Sequence, residues 1–204
     1  MRGRFIDEAT SNRIKEAARG VFLSKGYDGT TMQAIADVSH VNKALLHYYF
    51  RSKDNLFILI FKEQLQLFTK PSFDALKDSS RGLAERLETL INHLIRLVTK
   101  IPELPLFLMS EFQRNPDLVQ GLLNELGIPA MSHQVKRLLR SGTESCRDIS
   151  VDALLMTIFS LILFPVVSAP QFQPLLKVDP KRWGGEIQHK LTALAKEMVK
   201  KYVR

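Results

Sequence analysis

A chain of 204 residues, 45% hydrophobic and 25% charged, is long enough for one large or two small cores and reads as an ordinary soluble chain. Its formal net charge of +8 suits a polyanionic partner, and its single cysteine, Cys146, excludes an internal disulfide framework and a cysteine-based metal site. Residues 1–12 are polar and lack the apolar segment of a signal peptide, so a cytoplasmic location is expected.

In chain order, the first stretch, with Arg2 and Arg4, reads as an irregular terminus that can also serve as a basic arm against DNA phosphates. Ile14, Ala17, Ala18, Val21 and Phe22 then recur at i, i+3, i+4, i+7 and i+8, the stripe of an amphipathic helix that Gly26 stops. The stretch 30–53, TTMQAIADVSHVNKALLHYYFRSK, organises the chain. Thr30 with Gln33 reads as a capping box for a first short helix whose Met32, Ile35 and Ala36 face a core. Ser39, His40 and Val41 break it, and Asn42 caps a second helix to Phe50. There Leu46 and Phe50 point inward, whereas Lys43, Ala44, His47 and Tyr48 share another face. No acidic residue lies between His40 and Lys53, while Lys43, Arg51 and Lys53 are cationic. Two short helices and a tight turn, the second presenting donors on an acid-free face, fit a helix-turn-helix in a DNA major groove. The plain alternative is a helical hairpin with a solvated side.

These residues also carry a family resemblance. VNKALLHYYFRSKDNLF resembles the recognition-helix signature of TetR-family repressors, roughly G-V-S-K-G-T-L-Y-Y-H-F-x-S-K-E-x-L, at Val41, Lys43, Leu46, Tyr48, Phe50, Ser52, Lys53 and Leu56. FLSKGYDGTTMQAIA is similar to the family's F-x-x-x-G-Y-x-x-T-T-x-x-x-I-A at Phe22, Gly26, Tyr27, Thr30, Thr31, Ile35 and Ala36. His40 departs from the usual turn glycine, where positive φ is common. Ala44, Leu45 and His47 depart from the common Gly, Thr and Tyr, which should alter the sequence read rather than binding itself. The DNA-facing set is therefore Thr30, Thr31, Gln33, Asn42, Lys43, Ala44, Leu45, His47, Tyr48 and Lys53. Lys43, Lys53 and the first hairpin helix's N-terminus are expected on phosphates. Asn42, Leu45, His47 and Tyr48 are expected on base edges.

After Phe50, Ser52 caps a helix expected to run to about Thr69, where Pro71 halts it. Its Leu56, Phe57, Ile60, Phe61, Leu65 and Phe68 leave little polar surface, so it should serve two cores. The domain boundary is placed within it, giving a helix-turn-helix domain at 1–53 and a helical effector-binding and dimerisation domain at 54–204. Residues 72–80 read as a polar connection. Helices are then expected over 81–100, from Pro105 to Arg114, from Pro116 to Gly127, and from Pro129 to about Ser141. Ser150 caps a long apolar helix to Ala169, whose uncharged run, 153–169, is just under the roughly 20 residues of a membrane span and reads as a buried helix. A proline-spaced loop, 170–180, leads to a last helix over 182–203. The fold class is all-α.

Function in the second half is less specified. No catalytic motif, phosphate loop or metal-ligand spacing is present, so no enzyme activity, cofactor or metal is expected. Phe107, Met109, Phe112, Met131, Met156, Phe159 and Phe164 are large and adaptable, as pocket-lining residues are, and equally suit a plain core. Glu111 among them could meet a polar ligand group or face water. In the last helix Ile187, Leu191, Leu194, Met198 and Tyr202 form an apolar seam, which with Leu161 of the preceding apolar helix predicts a homodimer joined as a four-helix bundle. The resemblance implies the same dimer, a palindromic double-stranded DNA operator, and repression relieved when a small-molecule effector shifts the helix after Ser52. The alternatives are a DNA-binding regulator of this fold without an effector, and an all-α enzyme or adaptor.

Overall fold

The computed structural model describes the backbone of residues 2–141 and 150–203, and the side chains of residues 8–139, 150 and 152–203. Helix follows helix, with no strand among the described residues: α1 (Arg2–Lys25), α2 (Met32–Ser39), α3 (Lys43–Phe50), α4 (Lys53–Lys77), α5 (Leu83–Lys100), α6 (Leu104–Arg114), α7 (Pro116–Glu125), α8 (Ile128–Ser141), α9 (Val151–Leu175), the short α10 (Pro180–Arg182) and α11 (Gln188–Tyr202). The chain forms two compact units, Met1–Leu65 and Gln66–Arg204. The division falls inside α4, later than residue 53, because Leu56, Phe57, Ile60, Phe61 and Leu65 are all buried in the first unit.

The first unit is built on the apolar stripe of α1. Ile14, Ala18 and Phe22 are fully buried with Ile35 of α2, Leu46 of α3 and Leu56, Ile60 and Phe61 of α4. Phe57 ties them together, meeting Phe22 and Tyr27 edge to face at 5.2 and 4.9 Å and stacking on Phe61 at 5.8 Å. Helix α1 begins at Arg2 rather than after an irregular terminus, so the polar residues ahead of Ile14 extend it. The side chains of Arg2 and Arg4, the expected basic arm, lie outside the described residues. Gly26, at φ 67°, ends the helix by the positive-φ route that a residue lacking Cβ takes without strain.

In the second unit, α5, α9 and α11 enclose one core. Leu87, Leu90, Ile91, Leu94, Leu154, Ile158, Ile162 and Ala195 are all fully buried there. Two expectations built on prolines are corrected. Helix α4 continues through Pro71 to Lys77, because Leu76 is buried in this core and Phe73 packs against it. Packing offsets the proline's cost of roughly 3 kcal/mol. Likewise α9 runs through Pro165, Pro170 and Pro174 to Leu175, so residues 170–175 are helical where a loop was expected. The Pro165 carbonyl accepts the Trp183 indole N–H at 2.8 Å, which fastens the π-helical segment Trp183–Ile187 to α9. Nor is α9 wholly buried: Met156 is 65% and Phe164 58% exposed. This helix is long and apolar enough to cross a membrane by length and composition, yet Leu154, Ile158 and Ile162 sit in the core.

Candidate nucleic-acid interface

The hairpin α2–α3 is fixed by caps. Thr31, rather than Thr30, caps α2: its hydroxyl accepts the Ala34 N–H at 3.0 Å. Thr30 turns inward, 1% exposed, and donates its hydroxyl to the Gly26 carbonyl at 2.7 Å. The chain leaving Gly26 buries that hydroxyl, which then needs an acceptor. Gln33 closes no capping box; its amide donates to Asp37 at 2.7 Å from an exposed position. His40 ends α2 at φ 53°, ψ 41°, the left-handed conformation for which the turn glycine is common. Its N–H and that of Val41 bond back to Asp37 and Ala36, so the turn is closed by the backbone itself.

Asn42 caps α3, its side-chain oxygen accepting the Leu45 N–H at 2.7 Å. With Leu46 buried, Asn42, Lys43, Ala44, His47 and Tyr48 are exposed and Leu45 half-buried. Tyr48 is 71% exposed. The helix ends abruptly. Arg51 adopts φ 65°, ψ −57°, and the Ser52 N–H bonds the Phe50 carbonyl at 2.7 Å, which is a positive-φ γ-turn. Such a conformation at a residue with a Cβ is strained, and strain of this kind gathers at functional sites. His47 is bound to the turn twice: its carbonyl accepts the Arg51 N–H at 2.9 Å, and its Nδ1 lies 2.9 Å from the Arg51 carbonyl.

Lys53 has a different place from Lys43. Its ammonium donates to the Tyr27 and Thr30 carbonyls at 3.0 and 3.1 Å and lies 3.9 Å over the Tyr27 ring. Tyr27 in turn donates its hydroxyl to Asp54. Lys53 thus joins the start of α4 to the loop before α2, whereas Lys43 is exposed. Of the ten residues singled out, Thr30 and Lys53 are structural in these contacts, and the other eight are exposed or half-buried on α2, α3 and their caps.

Two hollows of the second unit are lined by described residues. One, of about 210 Å³, is lined by Phe68, Phe73 and Leu76 of α4, Val135 of α8, and Leu155 and Phe159 of α9, with Thr69, Ser72, Ser132 and Lys136 as its polar groups. Another, of about 220 Å³, lies between α6 and α9 among Met109, Phe159, Leu163, Phe164 and Val167. Phe159 lines both, and Met109 and Phe164 line the second. Phe107 is buried, Met131 half-buried, and Phe112 and Met156 exposed, outside both linings. Glu111 is buried and engaged at the end of its own helix, by the Asn115 amide at 3.2 Å and the Arg114 guanidinium at 3.7 Å. Of the α4 lining, Ser72, Phe73 and Leu76 lie beyond Pro71, the expected end of that helix, and the period Phe68, Ser72, Phe73, Leu76 is the sequence signal for them.

His93 of α5 is half-buried with its Nε2 lacking a hydrogen-bond partner. Burial lowers its pKa from the ordinary 6.5, against the hydrogen bond to the Phe68 backbone and with the help of the Arg96 charge. No group of three or more His, Cys, Asp or Glu among the described residues could hold a metal ion.

Apolar side chains remain uncovered on α9 and α11. Leu194 is 48% and Leu175 72% exposed, and Leu161, Ile187, Leu191, Met198 and Tyr202 are half-buried. Ala195, Val199 and, just past the end of α11, Val203 fill the unit's own core, and Leu161 and Met198 of the seam pack against it, while Leu194 stays exposed and Ile187, Leu191 and Tyr202 half-buried.

Comparison with known proteins agrees with this geometry. Residues 14–60 match the profile of the bacterial regulatory proteins of the tetR family. The "Probable HTH-type transcriptional regulator YttP" of Bacillus subtilis is 21% identical over 175 residues, 84% of either chain. The HTH-type transcriptional regulator RutR of Escherichia coli K12 is 35% identical over 63 residues, 31% of this chain and 30% of its own. The crystal structure of HlyIIR, a hemolysin II transcriptional regulator, superposes with a TM-score of 0.63 at 25% identity, covering 91% of this chain and 98% of its own. A TetR-family transcription regulator from Marinobacter aquaeolei superposes with a TM-score of 0.64 at 17% identity, covering 97% of each chain.

Proposed function

We propose that this chain, which belongs to the TetR family of DNA-binding transcriptional regulators, is a cytoplasmic repressor that binds a palindromic operator as a homodimer and is released by a small apolar effector. It works by binding and not by catalysis. The observation that carries this reading is the exposed face of α3: Asn42, Lys43, Ala44, His47 and Tyr48, with no acid between His40 and Lys53. On a capped helix behind a tight turn, that face offers donors and a cation to a major groove. Thr31 and the α2 N-terminus, Gln33 and Lys43 serve phosphates, and Leu45 meets a thymine methyl.

The homodimer is supported by the uncovered seam of α9 and α11. Two copies packed through it form a four-helix bundle and set two α3 helices for half-sites about one helical turn apart. The domain roles follow: DNA binding in the first unit, effector binding and dimerisation in the second. An effector acts only through a difference in affinity between DNA-competent and DNA-incompetent spacings, with α4 as the moving element. The hollow beneath α4, α8 and α9 is the better effector site, since α4 lines it; its walls suit an apolar body, and Ser72, Ser132 and Lys136 suit a polar end. Its volume of about 210 Å³ lies below the ~300–1,000 Å³ of most ligand pockets, which favours a second reading, the same regulator without an effector.

Footprinting on a palindrome beside the gene tests the DNA half: protection of two symmetric half-sites is expected, and uniform, sequence-independent protection would reject it. A thermal-shift screen of small apolar acids and alcohols decides between the two readings. A stabilising compound that lowers operator affinity supports release by effector; stabilisation without loss of operator binding supports the second reading.

A further inference from the structure

The bond between His47 and the γ-turn at Arg51 fixes a chemical property that exposure alone leaves open. A backbone carbonyl only accepts hydrogen bonds, so the 2.9 Å contact from the Arg51 oxygen places the hydrogen on Nδ1. In neutral imidazole the other nitrogen then carries a lone pair and no hydrogen. The arrangement depends on the turn: Arg51 leaves the helix at positive φ, and its carbonyl comes to the ring of His47 instead of continuing the helical ladder.

We infer that His47 presents Nε2 as a lone hydrogen-bond acceptor to the major groove and reads an exocyclic amine, adenine N6 or cytosine N4, at one base pair of each half-site. The inference rests on the proposed DNA-binding role and deepens it. A lone acceptor cannot pair with guanine O6 or N7 or with thymine O4, all of which need a donor. It discriminates by where across the pair the amine stands. The neighbouring exposed groups have other chemistries: Lys43 only donates, Ala44 is apolar, and the Asn42 oxygen is already engaged by the Leu45 N–H. Within α3 itself an acceptor on this face comes from His47 or from the Tyr48 hydroxyl, while the cap Asn42 keeps one lone pair beside its Leu45 bond.

The test compares the wild type with His47→Asn at about pH 8, above the ordinary imidazole range. The shorter amide can keep a donor toward the Arg51 carbonyl and cannot reach as far as Nε2. Site selection from a randomised duplex pool should show one pair per half-site, preferring adenine or cytosine on the read strand, whose preference disappears in the variant. At that pair, purine in place of adenine, or 2-pyrimidinone in place of cytosine, deletes only the amine. Wild-type affinity should then drop roughly tenfold, and the variant's should not change. Deletion of the amine of that pair without effect on wild-type affinity, an equal loss in the variant, or no pair that depends on residue 47 would overturn the inference. Titration against a fixed mixed-sequence duplex and a melting curve are run alongside. A folded protein with no preference in any sequence would overturn the sequence-specific role itself, and this inference with it.

Discussion

The two units of this chain expose opposite chemistries. Around α3 the first unit turns outward an amide, an ammonium, an imidazole and a phenol, and most of its large apolar residues, though not Val38, are covered around a core centred on Phe57. Along α9 and α11 the second unit leaves Met156, Phe164, Leu175 and Leu194 to solvent. A polar, acid-free face that costs nothing in water suits a polyanion. An apolar seam costs free energy in water until something covers it, which suits a protein surface. The contrast recurs in miniature between two lysines. Lys43 is exposed, while Lys53, ten residues on, has its ammonium over the Tyr27 ring and on two carbonyls. Charge in the sequence does not separate these two cations; the partners that Lys53 has within the first unit do.

The sharpest break of that contrast is Leu194→Glu. A carboxylate placed at the centre of the seam should leave an uncompensated buried charge, worth roughly 3–5 kcal/mol against the dimer. Light scattering should report a monomer, with operator binding reduced far more than binding to random DNA. A normal-mass dimer that still binds operator tightly would remove the seam from the interface.

Next is the lysine pair. Lys53→Ala removes the cation from the Tyr27 and Thr30 carbonyls and should cost the first unit about 1–3 kcal/mol in denaturant melts. Lys43→Ala should leave the melt in place and flatten the salt dependence of DNA binding by roughly one unit. The opposite pattern, with Lys53 setting the salt slope, would return Lys53 to the phosphates.

A smaller effect is expected at the α2 cap. Thr31→Ala removes the acceptor for the Ala34 N–H and should cost about 1 kcal/mol, with Thr31→Ser nearly neutral. No change in the alanine variant would mean that water serves that amide equally well.

The smallest is pH-dependent and confined to the second unit. His93 has a folded pKa below its unfolded 6.5, so the unfolded chain binds the proton more readily. Its contribution to stability is therefore intact above 6.5 and falls as the pH drops through and below that value. Melting temperatures between neutral and mildly acidic pH should decline more steeply for the wild type than for His93→Gln. Parallel curves would show that His93 is as well solvated in the folded state as in the unfolded.

Much of the first unit could be read directly. Its helices are marked by local chemistry: the i, i+3, i+4 stripe from Ile14, the Asn42 cap, the Gly26 stop and the His40 turn all act within a few residues of themselves. Even there the expected cap, Thr30, gives way to Thr31, because adjacent threonines are equivalent in sequence. Only the fold of the chain after Gly26 buries one hydroxyl and leaves the other at the helix end. The role of Lys53 was illegible for a related reason: its partners Tyr27 and Thr30 are distant in sequence, and only the packing of α4 brings them together.

By itself the sequence determined the helical class, the hairpin and the face of α3, since those follow from periodicity and from caps that span one turn. Tertiary structure decided where α4 and α9 end. A proline withdraws one backbone donor, a fixed local penalty, and whether the helix survives depends on the burial available beyond it. Leu76, packed in the second core, carries α4 past Pro71. The backbone at the end of α3, which the sequence does not announce, decided the tautomer of His47. A histidine has two tautomers of nearly equal standing, and the carbonyl that chooses between them exists only where Arg51 turns the chain at positive φ.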